Sequence, residues 1–155
     1  MNLWLEGALY LKSETGSWEQ ASTTPNTITY KAFGSSGIFV GDTLFYFSGA
    51  TSSSGFASQY YLRRGIINPN DPSDIDWSFS VAAQPQFGYR MACFKINGRP
   101  FWAGGSEVTY NCDGIAYNGT GEVEPSYKII SWNNDSPSWK NHGFFDNLPM
   151  DLRGI

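Results

Sequence analysis

The residue types that could perform chemistry are few and scattered in this chain of 155 residues. The single histidine, His142, stands in a polar segment and belongs to no Ser/His/Asp order. No HExxH, P-loop or CxxC motif is present. Residues 68–76 cluster carboxylates that could ligate Ca²⁺, but their proline spacing departs from an EF-hand loop, so we interpret them as a solvated turn. The sequence therefore predicts no catalytic residue, no metal site and no cofactor.

Side chains suited to binding, in contrast, fall in loops rich in Gly and Asn. Residues 106–125 carry Tyr110, Asp113 and Tyr117, which combine aromatic stacking with adaptable hydrogen bonding. A loop of this length tends to be functional or disordered. The alternative interpretation is a hairpin at the edge of a sheet that packs on itself. The remaining candidate ligand-binding residues lie in neighbouring segments, and they are Phe56, Gln86 and Arg90.

Composition and charge narrow the classes of partner. The net charge is −4 and no basic stripe exists, which argues against nucleic acid. No run of apolar residues is long enough for a membrane span, and Glu6 interrupts an N-terminus that lacks the basic start of a signal peptide. Cys93 and Cys112 are interpreted as isolated buried thiols, with one bridge as the alternative. The sequence does not determine the cellular compartment, but its low content of Lys and Glu favours an extracellular or virion surface over the cytoplasm.

The elements that would position these residues are β-strands. Aromatic residues reach 17% and charged residues only 15%, and the glycines and prolines leave little room for helices. A unit of about 60 residues repeats. It combines an aromatic segment that ends in a small residue with a later tryptophan. The copies are 3–8, 45–50 and 101–106, followed by Trp18, Trp77 and Trp139.

Each unit divides into four antiparallel strands. Asn97-Gly98 supplies the positive-φ pair of a type I′ turn, so a hairpin is predicted over 92–104, and Gly41-Asp42 marks the equivalent turn. Third strands are predicted at 58–64 and 126–132, and each fourth strand begins at the repeating tryptophan. Four antiparallel strands make one propeller blade.

This pattern resembles the kelch repeat. Arg90, the segment 101–105 that ends in Gly-Gly, Tyr127 and Trp139 match the kelch order of strands. The preceding unit departs from it, with Lys31 in place of Arg and Ser48-Gly49 in place of Gly-Gly. The resemblance implies a kelch-like β-propeller in which the aromatics pack between blades.

The predicted boundaries are a partial blade at 1–20, blades at 21–82 and 83–142, and the start of another at 143–155, all in one propeller domain. About three blades do not close a ring, so a longer chain or a second copy is expected to supply the rest. The loops that follow each second strand then share a face with those that follow each fourth strand. In kelch proteins that face commonly binds the partner.

Three functions are compatible with this architecture. The first is a non-catalytic binding module whose loops recognise a protein or peptide. The second is an attachment or structural module on a cell or virion surface that binds glycan or neighbouring subunits. Part of a propeller enzyme is the least favoured.

Overall fold

The structure is a computed structural model that describes residues 9–12, 16–21, 30, 32–51, 55–80 and 88–144. Throughout these residues the chain is all-β, with ten strands and no helix, which confirms the predicted fold class. It follows that the described part contains no helix long and apolar enough to cross a membrane.

The strands form three antiparallel sheets. The first sheet pairs β1 (Leu9–Lys12) with β2 (Ser17–Gln20). The second sheet contains β3 (Ser36–Val40), β4 (Thr43–Phe47), β5 (Leu62–Asn68) and β6 (Asp71–Ser80). The third contains β7 (Ala92–Ile96), β8 (Arg99–Ala103), β9 (Lys128–Asn133) and β10 (Ser138–Phe144). Within each sheet every strand pairs with its neighbour in sequence, and the two four-stranded sheets are propeller-like blades.

Both predicted hairpin turns are present. Asn97 and Gly98 have φ values of 49° and 72°, and Ile96 pairs with Arg99 across them. Two successive residues with positive φ are what a type I′ turn requires, so the Asn-Gly signal is confirmed. In the second sheet Gly41 has φ 58° at the equivalent turn.

Strand boundaries differ from the prediction in the second sheet. β6 begins at Asp71, well before Trp77, so the prediction that the fourth strand starts at the tryptophan is wrong here. Most of the segment predicted as a solvated turn belongs to this strand, because partly buried Ser73, Ile75 and Trp77 alternate with exposed aspartates as a strand does. Only Pro69 and Asn70 form the turn.

Two further boundaries move by a few residues. β5 begins at Leu62 rather than at 58, because the preceding residues continue the loop. β10 extends to Phe144, past the boundary placed at 142, and its pairing with β9 shifts register after Asn141. The predicted strand at 3–8 of the N-terminal unit lies outside the described residues. So do residues 145–155, which are most of the further blade predicted at 143–155.

The core lies between the second and third sheets. Its buried side chains come from both sheets, and they are Phe45, Phe47, Leu62, Met91, Trp102, Ile130 and Trp132. Trp102 is fully buried and its Nε1 donates a hydrogen bond of 2.9 Å to the Ser36 carbonyl of the other sheet. Trp139 packs on the Phe47 ring at 4.7 Å, so the third repeat's tryptophan fills the space between sheets as predicted. Trp18, by contrast, is 67% exposed.

Candidate functional site

The loops that follow β4 and β8 meet at an exposed pair of aromatic rings. Phe56 lies in the first loop and Tyr117 in the second, and their rings stack with centroids 4.7 Å apart and planes 20° apart. The Phe33 ring meets both edge-on, at 6.0 Å from Phe56 and 6.3 Å from Tyr117. Phe56 and Tyr117 remain 37% and 38% exposed, so they present apolar surface to solvent over a packed base.

A hydrogen bond joins the two loops below the rings. The Thr109 hydroxyl donates to the Phe56 carbonyl across the gap between the sheets. The Phe56 N–H donates to the Thr51 carbonyl at 3.1 Å, and Phe56 has φ 61°, a conformation that side-chain-bearing residues rarely adopt. The position of the Phe56 ring is therefore set by its own loop and by the loop of the next sheet.

A buried arginine ties the first loop to its sheet. Arg63 donates to the Ser48 carbonyl at 2.6 Å and to the Gln59 side chain, so it bonds residues at both ends of the loop. Its guanidinium also lies over the rings of Tyr46 and Tyr61, at 5.2 and 5.6 Å. Burial lowers the pKa of Arg63 to about 10, and the neighbouring tyrosines act in the opposite direction. Because arginine stays charged at neutral pH, a buried positive charge holds the loop.

The second loop is folded on itself. Tyr110 forms a bridge with Ala116, and Ile115 forms one with Glu122. The Tyr117 N–H donates to the Thr109 carbonyl at 3.0 Å. This is the self-packed form that was the alternative interpretation of residues 106–125, and it still leaves the Tyr117 ring outside.

Tyr110 has a different position from the one expected of a ligand contact. Its side chain is only 4% exposed and packs edge-on against Tyr89, with centroids 5.3 Å apart. The Arg90 guanidinium lies over both rings, 5.2 Å from the Tyr89 centroid and 4.9 Å from that of Tyr110. Tyr110 therefore supports the site from beneath and orients Arg90.

Arg90 adopts an unusual backbone conformation. Its φ is 54°, and its N–H donates to the Gly34 carbonyl of the neighbouring sheet at 2.8 Å. The side chain is partly exposed. Burial acts to lower the pKa of Arg90, but Tyr89 and Tyr110 outweigh it and raise that pKa above its ordinary value.

The other two predicted site residues take no part in this assembly. Asp113 is exposed, and its Oδ1 accepts the Ile115 N–H at 3.0 Å, which stabilises the turn within the loop. Gln86 lies outside the described residues. The residues that come together form what we call the loop cluster, defined as Phe33, Phe56, Tyr89, Arg90, Tyr110 and Tyr117.

Sequence reasoning missed Phe33, Tyr89 and Thr109. The structure places Phe33 and Tyr89 each in a bridge at the loop end of its sheet, with Ala50 and with Ser106. Their aromatic character was the available signal. Nothing in the local pattern indicated that Thr109 would reach across to another loop.

His142 and the two cysteines lie apart from the loop cluster. The His142 Nε2 is 2.8 Å from the Ser131 hydroxyl, and its ring lies 5.0 Å from that of Phe101. Burial, followed by the positive charges of Lys140 and Arg99, lowers the pKa of His142. Both cysteines are free thiols, but the prediction that both are buried is wrong, because Cys112 lies in an exposed turn of the second loop and Cys93 is only partly buried. Among the side chains that the structure describes, no three His, Cys, Asp or Glu residues converge on a position for a metal ion.

Comparisons with known proteins extend the fold assignment. No family model and no curated protein matches the chain. A solved structure described as "Structure of YjhT" is similar, with a TM-score of 0.62 and 17% sequence identity. The match covers 89% of this chain but only 38% of that chain, so the sequence spans well under half the length of the structure it resembles. At this identity the similarity shows a shared fold.

Proposed function

We propose that this chain is part of a kelch-like β-propeller and serves as a non-catalytic binding module that recognises a protein or peptide through its loop cluster. The observation that carries the proposal is the exposed stack of Phe56 on Tyr117. Aromatic side chains together with an arginine, here Arg90, are the residue types that dominate binding energy in protein interfaces.

The hydrogen bonds at Phe56 and Tyr117 support the same function. Binding costs less when the contacting side chains are already ordered, because fewer rotamers are lost on association. Phe56 is held by Thr51 and Thr109, and the Tyr117 backbone is bonded to Thr109. The cluster therefore offers a surface that a partner need not reorganise.

Selection from a random-peptide library on the immobilised chain tests this function. We expect enriched peptides whose binding falls at least tenfold in Phe56→Ala and Tyr117→Ala, because each change removes half of the stack. Phe39→Ala is the matched control, since Phe39 is a 52% exposed aromatic in β3 beside the opposite turn. Peptides that bind equally well to all three variants, or an absence of enriched peptides, would contradict the proposal.

A glycan-binding attachment module is the second candidate, and the same exposed rings favour it because aromatic faces stack on sugars. Glycan-array binding that disappears in Tyr117→Ala would support this function. Tyr110→Ala is unsuitable as a probe, because that buried side chain supports the fold of the loop.

Completion of the ring is part of the proposal. Further blades come from a longer chain or from a second copy, since a propeller contains about four to eight blades. Light scattering on the 155-residue chain separates the two sources. A sharp dimer supports closure by a second copy, whereas a monomer or a mixture of aggregates supports blades from a longer chain.

A further inference from the structure

We propose that Arg90 is a carboxylate-binding residue, and that the partner supplies an acidic side chain to it beside an apolar side chain on the Phe56–Tyr117 stack. The ligand class is thus an acidic peptide segment. This inference rests on the proposed function and adds the chemistry of the partner to it.

The first support is the way in which Arg90 is held. The rings of Tyr89 and Tyr110 lie against its guanidinium, and both side chains are buried. Cation–π contacts of this kind fix the plane of the guanidinium, which also hydrogen-bonds the side chains of Tyr89 and Tyr110. A guanidinium carries more N–H donors than these two bonds use, so others remain for a ligand. A planar donor fork held in place matches the two oxygens of a carboxylate.

The second support is the backbone at this position. A non-glycine residue at φ 54° is strained, and such strain often accompanies a functional side chain. The strain is held by the Arg90 N–H bond to Gly34 and by the Tyr89–Ser106 bridge. Two sheets therefore cooperate to direct this one side chain.

The third support is the charge around Arg90. Lys128, next to the loop that follows β8, forms an ion pair with Glu107. The positive charge of Lys128 is therefore already paired within the chain. Within the ranges that the structure describes, no carboxylate forms an ion pair with Arg90. A partly exposed cation of this kind is complementary to an acidic ligand.

The fourth support is continuity with the exposed rings. Tyr89 contacts Phe33 at 6.0 Å, and Phe33 contacts both Phe56 and Tyr117. Arg90 and the exposed stack thus sit on one connected layer of aromatic rings. A short peptide can place one side chain on each.

The test uses peptides selected on the 155-residue chain and calorimetric measurement of their affinity. Each Asp or Glu of a selected peptide is changed to Asn or Gln, and binding is measured to the native chain and to Arg90→Gln. We expect one acidic position to lose about tenfold or more on the native chain, because a charge-assisted pair is removed. On Arg90→Gln the same change in the peptide should cause no further loss of affinity.

Two variants serve as controls. Arg90→Lys keeps the charge but loses the fork, so an intermediate loss is expected, together with an unchanged circular dichroism spectrum. Arg99→Gln removes a charge from the β7–β8 turn at the other end of the sheet and should leave affinity unchanged.

The outcomes separate this inference from the function on which it rests. Selected peptides that depend on Phe56 and Tyr117 but carry no acid, or that bind Arg90→Gln as tightly as the native chain, overturn the carboxylate assignment alone. An absence of any selected peptide, together with an absence of Arg90-dependent binding to an oligogalacturonate, overturns both. An oligogalacturonate that binds in an Arg90-dependent manner, where no acidic peptide does, overturns the assignment to a peptide.

Discussion

Replacement of Gly34 by alanine tests how the second sheet positions the loop cluster. Gly34 has φ 68°, and a Cβ built there would lie 2.2 Å from Cε2 of Tyr89 and 2.8 Å from two other atoms of that ring. The ring cannot retreat easily, because Tyr89 is fully buried between Phe33 and Tyr110. The substitution must therefore displace Tyr89 or shift the backbone.

The cost has two parts. A side chain in the left-handed backbone region costs about 1–2 kcal/mol. The clash with Tyr89 resembles overpacking of a core, which costs about 1–3 kcal/mol. We therefore expect Gly34→Ala to lower the free energy of unfolding by about 2–5 kcal/mol, a large share of the roughly 5–15 kcal/mol typical of a domain.

Gly41→Ala is the matched control. Gly41 has a similar φ of 58°, but no atom lies within 4 Å of its built Cβ. Gly41→Ala should therefore lower the free energy of unfolding only by the backbone contribution, about 1–2 kcal/mol. The smaller conformational entropy of the unfolded chain affects both variants alike and cancels in the comparison.

Urea unfolding followed by tryptophan fluorescence measures both free energies, and the m-value checks that the transition itself is unchanged. The reasoning predicts that Gly34→Ala is less stable than Gly41→Ala by about 1–3 kcal/mol. Equal losses in the two variants would show that Tyr89 is not packed against Gly34 in the way described.

Three further predictions concern the core, alkaline pH and the thiols. Trp102→Ala should lower the free energy of unfolding by about 3–5 kcal/mol, because it leaves a cavity at a buried site. Trp18 is exposed, so Trp18→Ala should change that free energy by less than about 0.5 kcal/mol. Comparable losses for the two variants in urea unfolding would count against the core assignment. Burial raises the pKa of Tyr46 from 10.0 to about 12, so the folded chain keeps a proton on Tyr46 that the unfolded chain loses, and the contribution of this residue to stability should fall as pH rises through that range. Denaturation curves of Tyr46→Phe should show a shallower fall, and identical pH profiles would refute the assignment. Cys112 is exposed, whereas Cys93 is partly buried and burial raises the pKa of its thiol. A thiol reagent at neutral pH should therefore label Cys112 before Cys93. The reverse order of labelling, measured by mass spectrometry, would contradict the structure.

Local features of the sequence were sufficient for much of the fold. Asn97-Gly98 determines its hairpin because few other residue pairs accept two positive φ values in succession. The spacing of the tryptophans located the repeat but not the environment of each copy. Trp139 packs between sheets whereas Trp18 is exposed, and burial depends on what lies opposite in space.

The loop cluster could be predicted only in part. Phe56, Tyr117 and Arg90 were identified by residue type, and the structure brings them to one layer of rings. Their contacts join positions far apart in the chain, such as Thr109 to Phe56, and a single sequence carries no signal for such a bond. The burial of Tyr110 was missed for the same reason, because the folded loop that covers it depends on bridges within 106–125.

The sequential strand order has a consequence for synthesis on the ribosome. Each strand of the second sheet pairs with the strand made just before it, so the sheet can assemble once residue 80 has emerged. Such short-range pairing folds quickly, and domains form as units during translation. The apolar face that carries Phe45 and Phe47 is then left uncovered only until the chain that contains Met91 and Trp102 leaves the ribosome. The order of synthesis itself thus limits the time during which this nascent chain can aggregate.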